Sequence, residues 1–295
     1  MHYKSNSRNI FNTFNYAFLI FTSLLCILPF INLLAVSFSG SAAVSAGEVR
    51  FWPVDFTTKA YEFALSGGKF FRALMISVER VILGVTLNLL LMVLTAYPLS
   101  KTKRQLAGRN IYMTFFVITM LINGGLIPTY LVIVKTGLIN SIWALILPGA
   151  LPVYNMIILM NFIRGLPEEM EEAARIDGAG YFHVLWKILL PVLKPALATV
   201  GLFSIVGHWN SWFDGIIYMN NTADYPLQSY LQTLLQNFDQ IMQKSGTDYT
   251  KLLSMMNART GRAAQLFLGA LPIMMIYPFL QKYFTKGLVI GSVKG

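Results

Sequence analysis

The sequence predicts an all-α, polytopic membrane protein with six transmembrane helices, and three observations predict it. Only 12% of the 295 residues are charged, about half the share in an ordinary soluble domain. So few charges cannot cover a water-soluble globule, and 55% of the residues are apolar. Uncharged runs at 9–47, 81–100, 110–134, 136–163, 195–213 and 263–281 reach or approach the ~20 apolar residues that a spanning helix needs. Basic residues then gather in short segments between runs, the distribution expected of cytoplasmic loops. The net charge of +10 therefore points to topology and not to nucleic acid. A lone cysteine, Cys26, excludes intrachain disulfides and cysteine-clustered metal sites. His2, His183 and His208 have no metal-ligand spacing.

Helices are expected at 14–37, 73–99, 110–134, 140–163, 193–213 and 263–283. The first follows Lys4 and Arg8 and precedes Val44-Ser45-Ala46, which resembles a cleavage site. Its apolar stretch exceeds the 7–15 residues of a signal peptide, so an uncleaved first helix is expected. In the third, Asn123-Gly124-Gly125 and Pro128 interrupt the pattern, either as a kink lining a path or as close helix packing. With the N-terminus inside, the basic cluster Lys101, Lys103, Arg104 and Arg109 falls in the cytoplasm. So do Arg164, Arg175, Lys187, Lys282, Lys286 and Lys294. Both termini are expected in the cytoplasm, in a plasma-membrane, multi-pass protein. The chain reads as one membrane domain over 1–295, with a cytoplasmic segment at 164–191 and an extracellular loop at 214–262.

The inner segment between the fourth and fifth helices holds Glu168, Glu169, Glu171, Glu172 and Asp177 behind Pro167. Proline suits a first helical position, and the glutamates complement the positive end of the helix dipole. Gly178 and Gly180 are candidate terminators. A helix of about ten residues is expected, with Met170, Ala173, Ala174 and Ile176 available for packing. A second helix should run from Tyr181 towards Pro191. On composition alone this is either an ordinary amphipathic connector or a surface for another protein.

Glu172-Ala173-Ala174, Gly178 and Ile188-Leu189-Leu190-Pro191 match, at every fixed position, EAA, three residues, G, nine residues, I-x-L-P. That resembles the EAA signature of ABC importer permeases. Ala96-Tyr97-Pro98-Leu99-Ser100, Asn155, Phe162, Leu166-Pro167 and Tyr283-Phe284-Thr285-Lys286-Gly287-Leu288 extend the resemblance to carbohydrate-uptake permeases of the maltose-importer, MalG-like type. The chain looks nearest to the branch that takes up oligosaccharides or polysaccharide fragments. The resemblance implies a second, different permease subunit, two ATP-binding subunits, and an extracellular solute-binding protein delivering a carbohydrate. Glu172, Ala173, Ala174 and Gly178 would belong to a cytoplasmic coupling helix seated in the ATPase, with Glu172 as its salt-bridge residue. ATP and magnesium would sit on that partner, since this chain has no G-x-x-x-x-G-K-[ST] loop. No cofactor and no catalytic residue are expected here.

Other residues carry paired readings. Trp209, Asn210 and Trp212 form either an interfacial aromatic belt or a sugar-contacting path. Glu79 and Arg80 either line the translocation path or lie shallow, Arg80 snorkelling outwards. As neighbours on a helix they are not expected to pair with each other. Gln228, Gln232, Gln236, Gln240 and Gln243 mark a helical amide face, either lying solvated on the membrane or contacting the binding protein. In maltose-type permeases the corresponding loop reaches the binding protein, which favours contact. A secondary, ion-coupled transporter would need intramembrane carboxylates, and only Glu79 qualifies. A membrane enzyme would need clustered His, Asp or Glu, and none is visible. An ABC importer permease for a non-sugar solute is the nearer alternative.

Overall fold

A computed structural model describes residues 6–65, 68–233, 259–275 and 278. Every regular element among them is helical. They fall into two compact units, drawn from 1–70 with 231–271 and from 71–230 with 272–295.

The first unit begins with α1 (Asn6–Ser37), a 32-residue helix whose rise of 1.5 Å per residue exceeds a hydrocarbon core of about 30 Å. Its long apolar side chains are exposed, Phe14 and Phe21 among them. An apolar helix uncovered on most sides belongs in lipid or against another chain. A corner follows. Phe38 stacks on Phe56 and Tyr61, at 5.4 and 4.6 Å between ring centroids. The Val54 N–H donates to Ser39 Oγ at 3.0 Å, and the Ser37 and Tyr61 hydroxyls are 2.8 Å apart. Two short helices, α2 (Ser41–Ala46) and α3 (Lys59–Leu65), flank this corner. A helical stretch at 259–275 overlaps the expected last span.

In the second unit α4 (Lys69–Ser100) is again long enough to cross alone. The remaining expected spans are broken. The break between α5 (Arg109–Leu121) and α6 (Leu126–Lys135) bends the path by 111°. There the Gly125 N–H turns to Asn123 Oδ1 at 2.8 Å instead of continuing the ladder. A 51° bend separates Ile142–Gly149, which contains α7 (Ile142–Ile146), from α8 (Val153–Arg164). Pro148 and Pro152 remove donors at this bend. Next comes α9 (Glu169–Ile176). Tyr181–Val192 comprises α10 (Tyr181–His183), a π-helical segment Val184–Leu189 and α11 (Leu190–Val192). It meets α12 (Lys194–Asn210) at 82°. Pro191 and Pro195 flank that turn, and prolines account for such departures from the α ladder. The short helix α13 (Phe213–Tyr218) follows, then a 3₁₀ turn at Thr222–Asp224 and a helical stretch at 227–233.

Counting each bent pair as one span, up to five spans are present among the described residues. The sequence reading anticipated the interruption at Asn123–Pro128 but drew all the spans unbroken. The buried face of α4 runs at helical spacing through Ser77, Arg80, Gly84, Asn88, Met92, Ala96 and Leu99. Its second half packs on α8, Ala174 and Val184–Val200 as the main apolar core. The buried face of its first half is polar, and supplies hydrogen bonds to Leu145 O, Ala150 O and Ser211 O.

Candidate functional site

At one end of the second unit, α9 is held in place from below. The carbonyls of Leu99 and Ser100 at the end of α4 are capped by arginines, an arrangement that suits the negative end of a helix. Arg109 Nε donates to Leu99 O at 2.8 Å, and Arg164 donates to Leu99 O at 3.1 Å and to Ser100 O at 3.3 Å. Lys101 then stands over the Tyr97 ring, 4.3 Å from its centroid, and its ammonium donates to both Glu171 oxygens. Burial pushes the Lys101 ammonium below its ordinary pKa, and the bond to Glu171 acts the other way. Arg175 reaches the same carboxylate at 3.9 Å and covers the Tyr181 ring at 4.6 Å.

This anchoring sorts the residues of α9 by face. Ala174 is buried and Glu171 is pinned, while Glu172, Ala173 and Gly178 are exposed. Ile176 is 86% exposed. The sequence reading offered Ala173 and Ile176 for packing; in this chain they face outwards. The helix has eight residues and ends in a Schellman turn. The Gly178 N–H donates to Arg175 O at 3.0 Å and the Ala179 N–H to Ala174 O at 2.9 Å. Gly178 holds φ +81, a conformation that a side chain would strain.

A second constellation surrounds the end of α12. Arg80 is only 3% exposed, and pairs with Asp214. Its guanidinium also donates to Leu145 O at 3.1 Å and Ser211 O at 3.4 Å. Glu79, on the next position of α4, is exposed. Trp209 is buried, whereas Asn210 and Trp212 are exposed. One helical turn beyond Gly84, Asn88 joins the backbone to His208. In the amide orientation that satisfies every group, its nitrogen donates to Gly84 O and Ala150 O at 3.0 Å each. Its oxygen accepts from His208 Nε2 at 3.2 Å. Sequence reasoning missed Asn88, Ser77 and the Lys101–Glu171 pair. The spacing of Arg80, Gly84 and Asn88 by four was the available signal. Gln228 and Gln232 are half-buried; Gln236, Gln240 and Gln243 lie outside the described residues.

Residues 7–290 match the family described as the inner membrane component of binding-protein-dependent transport systems. The chain belongs to that family. This membrane component is similar over its whole length to "Protein LplC" of Bacillus subtilis (strain 168), with 38% identity over 100% of this chain and 98% of that one. It is 37% identical to the "Polygalacturonan/rhamnogalacturonan transport system permease protein YtcP" of the same organism, over 97% of this chain and 99% of that one. Its fold matches a chain of a bacterial ABC transporter "involved in the import of the acidic polysaccharide alginate". The TM-score is 0.83 at 30% identity, over 96% of this chain and 100% of that one. It is thus a membrane-embedded ABC transporter permease, a transport subunit and not an enzyme.

Proposed function

We propose that this permease imports a carbohydrate, an oligosaccharide of the kind released from a polysaccharide, as half of an ATP-driven translocation pathway. The names of its relatives support the cargo. The observation that carries the mechanism is the complete EAA pattern on a short helix with an outward face. Glu172 and Ala173 are exposed there, and Gly178 closes the helix in a left-handed turn. In this reading α9 is the coupling helix. Glu172 binds a basic residue of the ATPase, Ala173 permits its close approach, Ala174 lets the helix sit close on the core, and Gly178 sets the exit angle. ATP with its magnesium is hydrolysed on two partner subunits. A second permease chain completes the path, and a solute-binding protein delivers the sugar to the opposite face.

Six spans follow if each bent pair crosses once and the stretch at 259–275 begins the sixth. Both termini are then cytoplasmic. Trp209, Asn210, Trp212, Glu79 and Arg80 lie towards the outer end of the path. Gln232, Gln236 and Gln240 contribute to recognition of the binding protein.

The physical logic is leverage. The core joins α9 to α8, to the π-helical segment and to the second half of α4. A push on α9 by ATPase closure therefore reaches the helices that would line the path. The test is reconstitution with the partner subunits and uptake of an oligogalacturonate against a neutral oligosaccharide. ATP- and binding-protein-dependent uptake of either is the expected result. Uptake of neither, with ATPase intact, would point to a non-sugar solute.

A further inference from the structure

Trp212 and Phe213 stand at the break between α12 and α13. Their rings meet edge to face, 5.6 Å apart, and remain 39% and 46% exposed. A helix break within a membrane protein leaves backbone groups that must find partners. Here each has one. Ser211 O accepts from Arg80 Nη1 at 3.4 Å, and Trp212 O accepts from Ser229 Oγ at 2.6 Å. The Asp214 carboxylate receives Ser211 Oγ at 2.9 Å, the Gly215 N–H at 2.9 Å and Arg80 Nη1 at 3.1 Å, as well as Arg80 Nη2. Arg80 Nη2 also donates to Leu145 O. Within the Arg80 guanidinium, Nε stays unpartnered. One buried guanidinium thus ties α4, α7 and the α12–α13 break together.

We propose that Arg80, acting through Asp214, is a positioning residue that holds the backbone at Ser211 and Trp212 so that the Trp212 ring is presented to a sugar ring in transit. This rests on the carbohydrate reading above. A flat aromatic face suits the C–H surface of a pyranose, and a fixed backbone lowers the ordering cost when the sugar meets it. The exposed Trp212 is the contacting group; Arg80 touches no substrate. Lysine cannot replace it, because only the guanidinium fork meets a carboxylate and two carbonyls at once.

The test uses the assembled transporter in lipid nanodiscs, with Cys26→Ser and Trp212→Cys in this chain and a hydrophilic maleimide as probe. Arg80 and Asp214 are left intact or replaced together by Arg80→Gln and Asp214→Asn, which strands no buried charge. The double replacement should change the labelling rate by about tenfold, the scale of one lost charge-assisted contact. With Trp212 restored, the same replacement should raise the half-saturating concentration of sugar-loaded binding protein about tenfold while leaving the maximal rate within about twofold. Arg80→Lys should behave like Arg80→Gln. Unchanged labelling overturns the positioning role whatever the cargo is. Changed labelling with unchanged half-saturation overturns the presentation of Trp212 to sugar. If the intact transporter moves no sugar at all, the cargo reading fails, and labelling still decides whether Arg80 positions the break.

Discussion

Two glycines carry different physical demands, and each makes a prediction. Gly178 needs its backbone conformation, with φ +81 and open space around its α-carbon. Gly178→Leu should therefore strain the turn and tilt the chain leaving α9. Glu172→Ala should remove one charge-assisted contact with the ATPase, costing about 1–3 kcal/mol of association. The glycine variant should be the worse of the two, hydrolysing ATP without moving sugar or failing to hold the ATPase. Co-purification and coupled uptake check this, and normal transport by Gly178→Leu would sink the coupling assignment. Gly84 instead needs its missing side chain. A Cβ there would lie 2.5 Å from His208 Nε2, so the ring must move and its bond with Asn88 must break. Gly84→Ala should cost about 1–3 kcal/mol, as overpacking does, seen as a lower melting temperature of the purified complex.

At the scale of elements, the seat of α9 depends on Lys101 and Glu171, whose side chains are only 10% and 17% exposed. Truncating either leaves the other half-buried without its partner. Lys101→Ala and Glu171→Ala should each destabilise by about 1–3 kcal/mol. The double variant should cost less than their sum, because the stranded charge is then gone. Additive losses in a double-mutant cycle of chemical unfolding would show that α9 is seated by apolar packing alone. The same scale shows what was legible beforehand. The outer limits of α4, of the bent α7–α8 pair and of α12 were read to within a few residues, because apolarity changes sharply there. The segment 164–191 was also legible, because its proline, acids and glycine act locally. The bends of 111°, 51° and 82° were not. Glycine and proline permit a break without setting its angle, and around the 51° bend and the α12–α13 break the partners lie far away in sequence. Arg80 bonds Leu145 O and Ser211 O, and Asn88 bonds Ala150 O. The Trp209–Trp212 stretch was read as a belt or a sugar contact without its support, since Asp214 reveals its partner only after folding.

For the whole molecule, orientation decides whether this arrangement can work. Sugar must arrive at the end carrying Trp212, and ATPase closure must act at the end carrying α9. α4 leads from the Arg80 constellation to the Lys101 anchor, and its 32 residues exceed the membrane core. The two sites therefore sit towards opposite ends of one helix. In the proposed orientation, which rests on the basic short loops, Lys101–Arg109 are inside and the turn near Asn220 is outside. With Cys26→Ser as background, Asn220→Cys should react with a membrane-impermeant maleimide added to intact spheroplasts. Gln105→Cys should react only after permeabilisation. Both positions are exposed in the chain, so access to the reagent and not burial controls the outcome. The reverse pattern would turn the permease over. It would place the EAA helix on the side without ATP, where the motif could not couple to an ATPase and the proposed direction of transport would have to be abandoned.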